Sequence, residues 1–126
     1  MYKTQLAAYK KVQKASMSDR ELEASVLTQA ALKLKECQEN WMNLDHSKLD
    51  DALKYNQKLW SIFQSELADE TNPLPLNLRQ DILSLSIFID KRIFEIMAYP
   101  EPEKLTALIN INLNIAAGLR GVPLSA

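Results

Sequence analysis

The side chains best suited to chemistry in this 126-residue chain are few and scattered. Cys37 is the sole cysteine and His46 the sole histidine, and only two glycines occur. A metal centre needs several converging ligands at characteristic spacing, and no such spacing is present. No Gly-rich phosphate loop and neither Ser-x-x-Lys nor Gly-x-Ser-x-Gly is found. Asp50-Asp51 and Glu101/Glu103 could be taken for paired carboxylates, but they stand at expected helix starts, where the helix dipole favours acids. The residues therefore indicate no catalytic centre, no metal, no cofactor and no small-molecule ligand, and an enzyme is not expected.

Two amides are more informative. Asn56 and Asn112 each interrupt an apolar stripe, and an unsatisfied buried amide costs ~1–3 kcal/mol. Each needs a partner: the other amide, Arg79, Asp90, Arg92 or a nearby backbone group. An internal polar network through these residues that sets helix register is the favoured reading, because buried polar groups are usually satisfied within a fold. The alternative is that one amide awaits a ligand chain.

The elements that must position these residues are helical. A chain of this length fits one domain with a real core, taken as 1–126 with a core over about 18–119. Hydrophobic residues make up 47% and charged residues 25%, which is ordinary globular composition. One cysteine permits no intrachain disulfide, and the start lacks the apolar stretch of a signal peptide. The longest apolar run, Ile82 to Ile89, is too short to span a bilayer. A cytoplasmic protein with no membrane association is expected. Net charge is −1, but residues 1–20 carry Lys3, Lys10, Lys11, Lys14 and Arg20 against Asp19 alone. Such dispersed charges most often form a solvated face.

The pattern predicts an all-α protein, a compact bundle of about five helices. The first, about Lys3 to Lys14, places Tyr2, Leu6 and Tyr9 on one side; its stripe is short, and it is the element that could be a mobile arm. Ser18 to Glu21 forms a capping box for a second helix to about Asn43, with Val26, Leu27, Ala30, Leu34, Cys37 and Trp41 on one face. Cys37 is then a small buried hydrophobe. Ser47 is expected to cap a third helix with the stripe Leu49, Ala52, Leu53, Asn56, Leu59, Trp60, Phe63 and Leu67. Pro75 suits the first turn of a fourth helix reaching about Ala98.

The fourth helix has two stripes. Leu78, Ile82, Leu85, Ile89, Ile93 and Ile96 form one; Leu83, Ile87, Phe94 and Met97 form the other. An apolar arc this wide marks either the central member of the bundle, the favoured expectation, or a helix that lends a stripe to a partner. The fifth helix, about Glu103 to Ala117, contains a strand-like alternation from Ile109 to Ile115. No second strand exists to pair with it, and Gly118 is placed as a helix stop.

The order of these segments resembles the FlaF family of bacterial flagellar proteins. Ala8-Tyr9, Arg20-Glu21-x-Glu23-Ala24, Leu27, Ala30-Ala31 and Leu34 are similar to its early pattern. Asn56-x-x-Leu59-Trp60 follows, then Leu74-Pro75, Leu78-Arg79, Ile82, Ser84-Leu85, Ile89-Asp90 and Arg92. Leu108-Ile109, Ile111-Asn112, Ile115 and Gly118-Leu119 complete the match, from about Tyr9 to Leu119. The chain departs at Leu113, where many members carry a basic residue, and at Ile87-Phe88, which lack a nearby indole. The resemblance implies a non-enzymatic regulator of flagellar biosynthesis: a flagellin-binding export chaperone with linked post-transcriptional control of flagellin synthesis. Its expected partners are flagellin, through a terminal helical region, and the regulator FlbT. Leu83, Ile87, Phe94, Met97 and Tyr9 are the expected partner-binding residues. The alternative is a regulator acting on flagellin mRNA or through FlbT without chaperoning. Direct RNA binding is disfavoured, since only Tyr2 and Tyr9 could serve as aromatic platforms beside the basic residues. A homodimer using the same stripe is a third reading.

Overall fold

A computed structural model of the chain describes residues 19–121. It is all-helical over that span, with no strand among the described residues. Four α-helices are present among the described residues: α1 (Asp19–Glu39), α2 (His46–Ala68), α3 (Leu76–Ala98) and α4 (Leu105–Leu119). Single 3-10 turns at Trp41–Asn43 and Pro102–Lys104 introduce α2 and α4. The expected first helix and the Ser18 cap lie outside the described residues.

Local chemistry sets the helix ends. α1 stops short of the expected Asn43 because Asn40 turns back on it: its backbone N–H and its side-chain Nδ2 both donate to the Glu36 carbonyl, at 3.2 and 2.9 Å. Asp45, and not Ser47, caps α2. Its Oδ1 accepts from the Ser47 N–H at 3.0 Å, and that hydrogen bond holds the Asp45 carboxyl below its ordinary range. Asp50 and Asp51 consequently fall beyond the first turn, leaving it without an acid; both are exposed.

Pro75 occupies the N-cap position of α3, at φ −55° and ψ 145°, since a fixed φ suits the entry to a helix. α4 runs through Gly118. The chain instead turns at Gly121, whose φ of 75° is the left-handed conformation that glycine adopts without strain. The alternation of Ile109 to Ile115 is therefore helical: Ile109, Asn112 and Ala116 are buried together on one face.

The helices pack antiparallel to their chain neighbours. Ala30 and Cys37 of α1 meet Asn56 and Lys48 of α2, respectively. Gln64 of α2 meets Asp90 of α3. α4 then returns along α1, clipped at both ends. Gln38 Nε2 donates to the Pro102 carbonyl and the Thr106 hydroxyl, at 2.8 and 2.9 Å. Arg120 donates to the Thr28 hydroxyl at 3.3 Å. The α1–α4 contact is the most extensive in the fold. Buried Ala24, Ala30 and Ala31 on α1 and Ala116 on α4 keep side chains small there, which permits close helix approach. Cys37 is a buried part of this core. Its thiol donates to the Lys48 carbonyl with Sγ···O 3.7 Å, and burial pushes its pKa up, so it stays neutral.

α3 is not the central helix that its wide apolar arc suggested. Only Ser86, Ile89, Ile93 and Ile96 are buried on it. It packs on α2 and barely touches α4. Ile82 and Leu85 are half-buried, while Leu78 is 42% exposed. The small-residue faces of α1 and α4 bring those two helices together, while α3 packs chiefly along α2 and joins the common core through Ile89, Ile93 and Ile96. Leu105→Ala, at a fully buried position of α4, is therefore expected to cost about 2–5 kcal/mol. Leu78→Ala on α3 should cost less than about 0.5 kcal/mol. Urea denaturation measures both, and the reverse ranking would restore α3 to the centre.

Candidate functional site

At the meeting of α1, α2 and α4 a chain of buried polar groups runs through the core. The Trp60 indole N–H donates to Asn112 Oδ1 at 2.8 Å. Asn112 Nδ2 donates to Asn56 Oδ1 at 2.6 Å. Asn56 Nδ2 donates onward to the Ala30 carbonyl of α1 and the Ala52 carbonyl of α2, at 3.2 and 2.9 Å. All three side chains are 1% exposed, and neither asparagine has a buried polar atom without a partner. In a medium of low polarity these bonds are strong and a missing one is costly. The amides thus find partners within the fold.

Arg79, Asp90 and Arg92 do not belong to this chain. Arg79 Nη1 donates to the Leu67 and Asp69 carbonyls at the end of α2, at 3.3 and 2.9 Å, satisfying carbonyls that a helix terminus leaves open. Asp90 accepts from Gln64 at 3.1 Å. Arg92 lies 3.7 Å from Glu95 and over the Phe88 ring, 5.3 Å from its centroid. All three sit on α3, and their partners lie on α2, on α3 itself or in the connection between the two. Trp60 is the member that sequence reasoning left out. Its signal was available: a buried indole needs an acceptor, and Trp60 lies one helical turn from Asn56.

Among the described residues no group of three or more His, Cys, Asp or Glu side chains could hold a metal. What the surface does offer is apolar area. On α3, Ile87 is 57% exposed and Phe94 63%, with Met97 and Phe88 exposed beside them. Leu83, by contrast, is half-buried and packs on the core. Leu76, at the start of the same face, is also exposed. Tyr9 lies outside the described residues. Thus the structure brings Ile87 and Phe94 together on one open face and separates them from the amide chain, which is interior.

Asn112→Leu removes an acceptor from Trp60 and a donor to Asn56, so it is expected to destabilise by about 1–3 kcal/mol. Adding Asn56→Leu should cost less than the sum of the two single changes, because both act on one chain of bonds. Thermal or chemical unfolding of the double-mutant cycle checks this, and strict additivity would show that the amides act separately.

Comparison with known proteins accords with this geometry. No curated protein and no solved structure matches the chain. The family model described as flagellar protein FlaF matches residues 5–119, a span that includes every helix of the described structure and both buried asparagines. The chain therefore belongs to the FlaF family of flagellar proteins.

Proposed function

We propose that this protein is a cytoplasmic, non-enzymatic export chaperone that binds flagellin, with linked post-transcriptional control of flagellin synthesis. The observation that carries the reading is the open apolar face of α3, where Ile87 and Phe94 are more than half exposed. Scattered exposed apolar residues are ordinary on any protein. Here, though, Leu76, Ile87 and Phe94 recur along one side of one helix, which is how a surface for a partner helix is built.

Membership of a flagellar family supplies the kind of partner. Flagellin polymerises through apolar terminal helices, and an unassembled helix of that kind needs its apolar side covered. A helix laid against α3 would be anchored by Ile87 and Phe94, with Met97 adapting to its shape. Lys91 and Glu95, both exposed among these residues, would supply a polar rim. Control of synthesis follows if the same protein reports how much flagellin is waiting for export, alone or with FlbT. Among the described residues no helix is long and apolar enough to cross a membrane.

Ile87→Asp tests the reading, because it places a charge in the middle of the face without touching the buried side of α3. Flagellin co-purification should be lost while far-ultraviolet circular dichroism and thermal stability stay near those of the parent. Retained co-purification would move the client site elsewhere, and an unfolded variant would mark Ile87 as part of the core.

A further inference from the structure

The other flank of α3 is open as well. Phe88 follows Ile87 in the chain and points about 100° further around the helix, away from the Ile87/Phe94 stripe. Leu78, Asp81, Leu85, Phe88, Arg92 and Glu95 run along this flank at alternating steps of three and four residues. That is the spacing by which one helix seats another. Leu78 is 42% exposed and Phe88 39%. Asp81 and Glu95 are exposed, while Leu85 and Arg92 are half-buried.

Two opposite charges on the flank are poorly answered within the protein. Asp81 has no hydrogen bond or ion pair among the described residues. Arg92 lies over the Phe88 ring and 3.7 Å from Glu95, which is beyond hydrogen-bond reach. Its Nε is buried without a partner. A guanidinium carries five donors in a planar fork suited to a carboxylate, and no carboxylate of its own chain meets it at that geometry.

We infer that this flank pairs with the same flank of a second copy of the chain, antiparallel about a two-fold axis. The order of the charges argues for that occupant and that direction. With the axis level with the Ser86–Ile87 peptide, Asp81 and Arg92 stand equally far from it, as do Leu85 and Phe88. Asp81 therefore meets the partner's Arg92, and Arg92 meets the partner's Asp81. Between these two contacts Leu85 packs on the partner's Phe88, and Phe88 on the partner's Leu85. A parallel pair would set Asp81 against Asp81 and Arg92 against Arg92, and such like-charge contacts are costly. The flank is thus self-complementary in one direction only, as a symmetric dimer requires.

The size of the contact sets its strength. α3 has 23 residues, about 35 Å of helix. One helix pair of that length buries less than the roughly 800 Å² per partner of a stable complex. The dimer is therefore weak and exchanges with monomer. Exposed ion pairs add little affinity and chiefly fix orientation, so the Leu85–Phe88 contacts carry the attraction. Because Ile87 and Phe94 lie on the other flank, this pairing does not depend on the flagellin reading.

Sedimentation velocity of the full chain over a concentration series is the test. The protein should pass from monomer to dimer as concentration rises. Asp81→Arg and Arg92→Asp should each weaken the dimer at least about tenfold, with far-ultraviolet circular dichroism unchanged. An equimolar mixture of the two variants should recover it, because both ionic contacts then join opposite charges again. A monomer at every concentration, or no recovery in the mixture, would overturn the proposal. Should Arg92→Asp not fold, cross-linking decides: in a Cys37→Ala background, chains with Asp81→Cys and Arg92→Cys should form mixed disulfides faster than either forms with itself. Faster self-linking would refute the antiparallel pairing. Ile87→Asp should still dimerise, and loss of the dimer in that variant would place the contact on the other stripe and refute this one.

Discussion

Buried hydrogen bonds from Trp60 through Asn112 and Asn56 to the Ala30 and Ala52 carbonyls constrain everything else in the fold. An apolar seam between helices tolerates sliding by a turn at modest cost, since one leucine replaces another in the same space. A line of amides does not, because a shift of α4 by one residue strands an indole N–H and two amides in an interior where no water replaces the lost partner. Three helices are thereby held to one register. The alanines of α1 and the Ala116 face of α4 can then approach closely, and the clips at Gln38 and Arg120 close at either end.

The same bonds tie α1, α2 and α4 together, while α3 packs chiefly along α2 and enters the common core with Ile89, Ile93 and Ile96. The rest of its wide apolar arc has nothing within the described residues to cover it. A helix richer in apolar residues than its position requires is costly in water, so its retention at Ile87 and Phe94 accords with a surface that meets another molecule.

The polar residues divide along the same line. Asn56 and Asn112 are structural because they are enclosed by helices that cannot separate without unfolding. Arg79 serves the end of α2 and the connection after it, and Asp90 joins α3 to α2 through Gln64. Arg92 lies against Phe88 and Glu95 on the same helix. The need of a buried amide for a partner is visible in a sequence, but which of several polar residues meets it is not: Asn56 and Asn112 find each other and Trp60, while Arg79, Asp90 and Arg92 find partners on α2, on α3 or in the connection between them.

Much of this protein was legible from its residues alone. Helical spacing picked out the buried faces of α1 and α2 nearly residue by residue, from Val26 to Cys37 and from Leu49 to Leu67, because periodic burial is a local property of a helix in a core. The two intruding asparagines were also visible, since an amide in an apolar stripe must find a partner. Local competition was harder to see: Asp45 outcompeted Ser47 for the cap, and Asn40 ended α1 early. Which apolar stripe of α3 would be covered was beyond the sequence. Both stripes have the same chemistry, and the choice depended on the close packing of α1 with α4 and on side-chain hydrogen bonds between residues more than fifty positions apart. Composition and spacing determined that the chain folds as helices around a polar-pinned core. Only the tertiary packing decided which apolar surface remained open, because burial of one face of a helix is settled by its neighbours and not by the helix itself.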